Sequence, residues 1–138
     1  MLPFSASIHA RKLLALWGML FAFAILAACS SQTPESVAKN YIDAVAANRT
    51  EEAIGYYSLK DVKENDLTAV KGKLQMIVGQ QYSSIQEHGG LDSVVTTLAK
   101  QDGNTARVDM ELKFKNGKTK KDRLNLIQES GAWKIVLK

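Results

Sequence analysis

Residues 106–114 read Ala106-Arg107-Val108-Asp109-Met110-Glu111-Leu112-Lys113-Phe114, an unbroken alternation of apolar and polar side chains. Successive side chains of a strand point to opposite faces, so one face of this segment is apolar and the other is charged. A period of two over this length is typical of a half-buried antiparallel strand. The segment therefore predicts a sheet with one face against a core and one face in water.

Turn signals stand on both sides of this strand. Asp102-Gly103-Asn104 precedes it and Asn116-Gly117 follows it, and Asn-Gly between alternating runs is the strongest short hairpin signal. Strands over residues 91–101 and 118–128 are expected to pair with it. Ser130-Gly131 then leads into a last strand whose apolar face carries Trp133, Ile135 and Leu137. The result is a four-stranded antiparallel meander.

The chain before the sheet has a helical period instead. Thr33-Pro34-Glu35 is typical of a helix N-terminus, a second short helix begins at Thr50, and a third fits residues 65–88. Gly72 and Gly79 weaken the third helix by about 1 kcal/mol each, which leaves room for a kink or break near Gly79. Helices followed by strands predict an α+β domain, with N-terminal helices packed on a curved four-stranded antiparallel sheet.

An apolar run near the N-terminus ends at the only cysteine. Arg11 and Lys12 precede the run, residues 13–28 are almost all apolar, and no acid occurs before Glu35. The run is shorter than the roughly 20 residues that a transmembrane helix needs, and its layout is that of a secretory signal. Its end, Leu26-Ala27-Ala28-Cys29, resembles the lipobox of bacterial lipoproteins, in which cleavage falls between Ala28 and Cys29 and the cysteine is lipidated. The alternative is an uncleaved signal anchor with an incidental cysteine.

This pattern predicts a signal peptide over residues 1–28, a lipidated Cys29 with a short linker over residues 29–33, and a domain over residues 34–138. The predicted partner is a membrane, held through the lipidated cysteine. The linker reaches at most roughly 15 Å, so the domain stays near the bilayer. The residue after the cysteine is Ser30, whereas an Asp at that position would resemble an inner-membrane retention signal. The absence of that Asp favours the outer membrane. The predicted location is the cell envelope, on the periplasmic side of the outer membrane if the cell is Gram-negative.

Loss of the signal changes what the composition implies. Removing residues 1–28 leaves 110 of 138 residues, and the formal charge falls from +4 to about +2 with Arg11 and Lys12. That is enough chain for one domain with its own core. The basic balance therefore gives no reason to predict nucleic-acid binding, and export argues against it.

His88 is the only histidine in the predicted mature chain. One histidine cannot supply the ligand set of a zinc site, and at a helix end it more often interacts with the helix dipole than catalyses. Gly89-Gly90 is not followed by the Lys-Ser/Thr of a phosphate-binding loop. We therefore predict no catalytic residues, no metal and no cofactor.

Two residue sets still offer chemistry. Tyr41, Tyr57 and Tyr82 are candidate pocket residues, because tyrosine hydroxyls and an aspartate can support isomerase-like catalysis. Asp43 and Asp109 lie off the apolar faces of their elements and are expected to face water. The other interpretation of the tyrosines is core packing with satisfied hydroxyls.

The second set surrounds the Asn116-Gly117 turn and consists of Lys113, Lys115, Lys118, Lys120 and Lys121, with Arg123 beyond them. It is either a solvated hairpin whose lysines discourage edge pairing or a contact for anionic lipid headgroups. Each Lys or Arg near such a surface contributes about 1 kcal/mol.

Three groups of residues resemble one known family. They are Pro34-Glu35-Ser36-Val37-Ala38 with Tyr41 and Ala44, Asp102-Gly103-Asn104-Thr105-Ala106, and Gly131-Ala132-Trp133-Lys134-Ile135. The chain from Pro34 to Lys138 resembles the small bacterial lipoprotein domain of unknown function of the 4878 type, some members of which carry a lumazine-binding label. That family of domains belongs to the nuclear transport factor 2-like, cystatin-like superfamily. The resemblance implies helices in the concavity of a curved sheet and brings no established catalytic residues.

The predicted function is a membrane-anchored envelope lipoprotein with a non-enzymatic binding or interaction domain. One alternative is a small isomerase-like or hydrolytic enzyme that uses a Tyr/Asp pocket. Another is an accessory or immunity-type interaction lipoprotein. The lack of a catalytic set favours the first.

Overall fold

The computed structural model describes residues 32–137. Ala28 and Cys29 lie outside the described residues. The helices are α1 (Pro34–Ala46), α2 (Thr50–Gly55) and α3 (Leu67–Glu87), with a 3-10 turn, Glu64–Asp66, before α3. The strands are β1 (Leu91–Asp102), β2 (Thr105–Phe114), β3 (Thr119–Glu129) and β4 (Ala132–Ile135). None of the helices within residues 32–137 combines the length and the hydropathy that a membrane-spanning helix needs.

The helices begin and end where local chemistry favours it. The Ser36 N–H donates to the Thr33 hydroxyl at 3.2 Å, and Pro34 stands at the first helical position of α1. The chain leaves α1 through Asn48, whose φ of 58° lies in the left-handed region. The helix α3 is continuous through Gly79, so the chain does not break there. Burial of Leu74, Val78 and Ile85 along one side outweighs the cost of its glycines.

The sheet is the predicted antiparallel meander, in the order β1-β2-β3-β4. Val108, Met110, Leu112 and Phe114 are buried against the helices, whereas Arg107, Glu111 and Lys113 are exposed. We call these two sides the core face and the outer face of the sheet. The last strand is shorter than expected. It ends at Ile135, so Leu137 lies beyond it.

The helices and the core face of the sheet enclose the hydrophobic core. Its largest fully buried side chains are Tyr41, Leu74, Leu126, Ile135, Val37, Val45, Val78 and Val108. Each large apolar side chain contributes about 1.5–3 kcal/mol by leaving water. The alternation in β2 therefore determines which sheet face the helices cover.

Candidate functional site

Two of the three candidate pocket tyrosines meet inside the core. The hydroxyl oxygens of Tyr41 and Tyr57 lie 2.8 Å apart, and their rings pack edge to face with centroids 5.5 Å apart. The Tyr41 hydroxyl donates to Oε1 of Gln81 at 2.6 Å. Because a hydroxyl has one proton, Tyr57 must be the donor to Tyr41. The three side chains form a hydrogen-bond relay from Tyr57 through Tyr41 to Gln81.

The surroundings keep both phenols protonated. Burial raises the pKa of Tyr41, and the neighbouring Tyr57 hydroxyl and the negative charge of Asp122 raise it further. Burial also raises the pKa of Tyr57, although its hydrogen bond with Tyr41 acts in the opposite direction. Both hydroxyls are therefore hydrogen-bonding groups and not bases.

Tyr82 does not take part in the relay and packs, partly buried, against the core. It follows Gln81 directly on α3, so its side chain leaves the helix in a different direction. Asp43 lies one helical turn from Lys39 and pairs with it near the surface. Asp109 pairs with Arg123 on the outer face, with 2.7 Å between Oδ1 and Nε. As expected, neither aspartate faces the tyrosines.

A small cavity lies between α3 and β3, beside the relay. Its polar rim consists of Gln81, Ser84, Lys120 and Asp122, and its apolar floor of Ile42, Ile85, Leu112 and Phe114. Its volume is about 20 Å³, which is room for one water molecule. Lys120 and Asp122 are exposed, so the rim stands in solvent.

Sequence analysis placed Lys120 in the hairpin set and missed its position in this rim, together with Asp122. Lys120 pairs with Leu112 and Asp122 with Met110, which puts both on the core face of β3. A signal was present, because steps of two back from Leu126 lead through Leu124 to these residues. Their exposure means that the helices leave this end of the core face open.

His88 is the residue that caps the C-terminal end of α3, and its ring contacts both the helix and the sheet. Its Nδ1 lies 2.7 Å from the Ser84 carbonyl oxygen, and its ring stacks on Phe114 with centroids 4.6 Å apart. The imidazole therefore joins the end of α3 to the sheet. Within residues 32–137 no group of three His, Cys, Asp or Glu side chains is arranged to hold a metal ion.

The hairpin lysines do not share one face. Lys113 and Lys121 are on the outer face and Lys120 is on the core face, while Lys115 and Lys118 flank the turn. A flat surface that met the hairpin from one side would contact only part of the set.

The hairpin also lies far from the start of the domain. Ala47, at the C-terminal end of α1, lines a groove with Leu91, and Leu91 pairs with Phe114 beside the hairpin turn. Thr33 caps the opposite end of α1, a helix of 13 residues and thus about 20 Å long. The point where the predicted linker enters the domain and the lysine hairpin are therefore at opposite ends of α1.

Solved structures share this fold at low sequence identity. A Campylobacter jejuni protein described as a candidate NTF2-like transpeptidase has a TM-score of 0.72 at 20% identity, over 78% of this chain and 100% of that chain. A SEC-C motif containing protein from Rhodopseudomonas palustris gives 0.49 at 10% identity, over 82% of each chain. A de novo designed NTF2 fold protein gives 0.44 at 19% identity, over 78% of this chain and 85% of its own. The first of these likenesses establishes an NTF2-like fold and nothing about activity.

None of the curated proteins matches this sequence. The profile of one family, described as a domain of unknown function, DUF4878, matches residues 27–136. The matched range contains all the helices and strands described above. This chain therefore belongs to the DUF4878 family, a domain of unknown function, and folds as an NTF2-like α+β domain.

Proposed function

We propose that this protein is a lipoprotein of the bacterial envelope, anchored through Cys29, whose domain binds a ligand without transforming it. The observation that carries the binding proposal is the cavity rim. Lys120 and Asp122 stand on the core face of β3, where the alternation continues from Leu124 and Leu126. Both side chains are exposed beside an apolar floor, because the helices leave this end of the core face uncovered. Charged residues in this position favour recognition over packing.

The rim favours a small polar ligand with an apolar part. Because the Gln81 carbonyl accepts from Tyr41, its amide N–H₂ is the end left for the cavity that Gln81 lines. Ser84 adds a hydroxyl, and Lys120 and Asp122 add one charge of each sign above an apolar floor. A few convergent polar groups over apolar walls are typical of ligand sites. A ligand larger than water would displace the flexible Lys120 stem.

The enzyme alternative has less support. Tyr41 is 0% and Tyr57 8% exposed, and the single proton of each hydroxyl is already donated within the relay. A developing oxyanion would have to compete with these internal bonds. The geometry thus favours the relay as a support that orients Gln81 and the rim as the part that meets a ligand.

The anchoring proposal rests on the lipobox and on the short linker. The helix α1 begins at Pro34, so only residues 30–33 separate Cys29 from the domain, a reach of at most roughly 15 Å. The family match begins at residue 27 and so includes Cys29. Headgroup contact by the lysine hairpin would require α1 to lie roughly parallel to the membrane, since the hairpin is at the far end of that helix.

Ligand capture tests the binding proposal. Full-length tagged protein is purified from the cell envelope in mild detergent, and molecules released on denaturation are identified by mass spectrometry. The wild type is expected to retain a small molecule that the Lys120→Met/Asp122→Asn variant loses. The control Lys113→Met/Glu111→Gln makes the same charge changes on the outer face and should retain it.

If no molecule is enriched on the wild type over the rim variant, the proposal is wrong. Co-purification of one stoichiometric protein, independent of the rim, would support the accessory or immunity-type alternative instead.

A further inference from the structure

The two edges of the sheet differ in how their backbone is satisfied. At the β4 edge, the Ser58 N–H donates to the Ile135 carbonyl at 2.8 Å, and the Ile135 N–H donates to the Tyr56 carbonyl at 2.7 Å. The segment after α2 therefore covers β4. Within residues 32–137, β1 pairs only with β2. Unpaired backbone groups along such an edge are a template for another strand.

The strand β1 is long, and its middle is apolar. It spans 12 residues, and register shifts between Leu91/Ser93 and Leu98/Lys100 bound a regular run over residues 93–98. Val95 is 62% exposed and Leu98 is 36% exposed. Val95 pairs with Glu111 on the outer face, and Leu98 pairs with Val108 on the core face. The free edge therefore presents apolar side chains on both faces of the sheet.

We propose that a second copy of this chain pairs with β1, antiparallel and edge to edge, with Thr96 opposite Thr96 of the second copy. Directly opposed residues of antiparallel strands point to the same face, so the two-fold axis must lie midway between one residue and its own copy. Centring on Thr96 sets Val94 against Leu98 on the core face. It sets Val95 against Thr97 on the outer face. Val95 and Leu98 thus gain cross-strand partners, and the two-fold symmetry repeats each of these pairs on the other side of Thr96.

Charge selects this register over its neighbours. Centring on Thr96 puts Asp92 opposite Lys100 at both ends of the paired run. A centre at Val95 would put Asp92 opposite Leu98, and a centre at Thr97 would put it opposite Asp102. Only the Thr96 register gives opposite charges, and the four-carbon stem of Lys100 spans the irregularity at Ala99.

A groove beside β1 fits the same arrangement. Lys39, Asp43, Ala46 and Ala47 of α1 line it together with residues 91–94 of β1. In the Thr96 register these β1 residues face residues 98–101 of the second copy. Because α1 lies on the core face, Leu98 of the second copy would enter this groove. The interface would therefore extend beyond the backbone pairing to side-chain contacts on α1.

Cysteine cross-linking of the full chain in native membranes tests the register. Thr96→Cys is expected to form a disulfide dimer on mild oxidation, because directly opposed Cα atoms are about 4.5–5.5 Å apart. Thr97→Cys faces Val95 in this register and should link far less. The wild type, which keeps Cys29, and Lys113→Cys on the outer face are the controls. Equal linking of Thr96→Cys and Lys113→Cys, or stronger linking of Thr97→Cys, would overturn the proposal.

Charge reversal gives an independent readout of the same contact. Asp92→Lys should weaken dimerisation of the detergent-solubilised protein about tenfold, because it replaces two attractive pairs with two repulsive ones. Adding Lys100→Asp should restore dimerisation, which a folding defect would not allow. Dissociation constants from sedimentation equilibrium measure both effects. Failure of the second change to restore the dimer would contradict the Thr96 register.

Discussion

The hydroxyl oxygens of Tyr41 and Tyr57 lie 2.8 Å apart in the core, although the two residues belong to different elements. Tyr41 comes from α1, Tyr57 follows α2, and Gln81, the acceptor of the Tyr41 hydroxyl, belongs to α3. One relay therefore joins α1, α3 and the segment that follows α2. Its last member also forms part of the cavity rim, so helix packing and the candidate site depend on the same bonds.

The first prediction concerns the centre of this relay. Tyr41→Phe should lower the free energy of unfolding by about 1–3 kcal/mol, because it leaves the Tyr57 hydroxyl and Gln81 Oε1 without their partner in the interior. Urea denaturation measures the loss. Tyr82→Phe, which removes a hydroxyl outside the relay, should cost less than about 0.5 kcal/mol. Equal losses in the two variants would show that the relay does not stabilise the fold.

The second prediction concerns alkaline pH. The pKa values of Tyr41 and Tyr57 are raised above the usual 10.0 in the folded protein. The folded state therefore keeps its phenol protons where the unfolded state loses them. The relay's contribution is full below about pH 10 and falls as the pH rises above it. Unfolding free energies from pH 8 to 11.5 should decline more steeply for the wild type than for Tyr41→Phe/Tyr57→Phe, and parallel slopes would contradict this.

The third prediction concerns the core side of α3. Leu74 is fully buried, and Leu74→Ala should cost about 2–5 kcal/mol through lost burial and the cavity that it leaves. The matched control is Met76→Ala on the same helix, because Met76 is 67% exposed. That change should alter stability by less than about 0.5 kcal/mol. Similar losses at both positions would mean that α3 packs through a different side.

The fourth prediction separates two kinds of glycine. A Cβ at Gly72 would meet nothing within 4 Å, and the residue lies inside α3, so Gly72→Ala should stabilise the protein by about 0.5–1 kcal/mol. Gly117 stands in the β2–β3 turn with φ +85°, where an alanine is strained, so Gly117→Ala should destabilise it. Thermal unfolding of the two variants should shift in opposite directions. A shift in the same direction would contradict the assignment.

The fold could be predicted because its signals are local. The alternation from Ala106 to Phe114, the Asn116-Gly117 turn and the Thr33 cap each act within a few residues, and each stands as predicted. The glycines of α3 leave room for a kink or break near Gly79, and the helix does not break there, because burial along the whole of α3 competes with the local cost of glycine. Propensity alone cannot weigh that competition.

The cavity rim depends on longer-range geometry. The pattern in β3 predicts the core face for Lys120 and Asp122, but not where the helices stop covering that face. The contact between Tyr41 and Tyr57 could not be predicted from the sequence either, because residues 16 positions apart meet only after α1 and α2 have packed. The composition identifies candidate side chains, and only tertiary packing selects which of them meet.

Determining the chemical state of Cys29 in cells tests most directly whether this protein is anchored by a lipid. Intact mass spectrometry of the membrane fraction should find a chain that begins at an acylated Cys29. Globomycin, which blocks lipoprotein signal peptidase, should cause the form with residues 1–28 to accumulate, and Cys29→Ala should carry no lipid. A membrane-bound wild-type chain that keeps residues 1–28 and an unmodified Cys29, with or without globomycin, would contradict the account and identify a signal anchor.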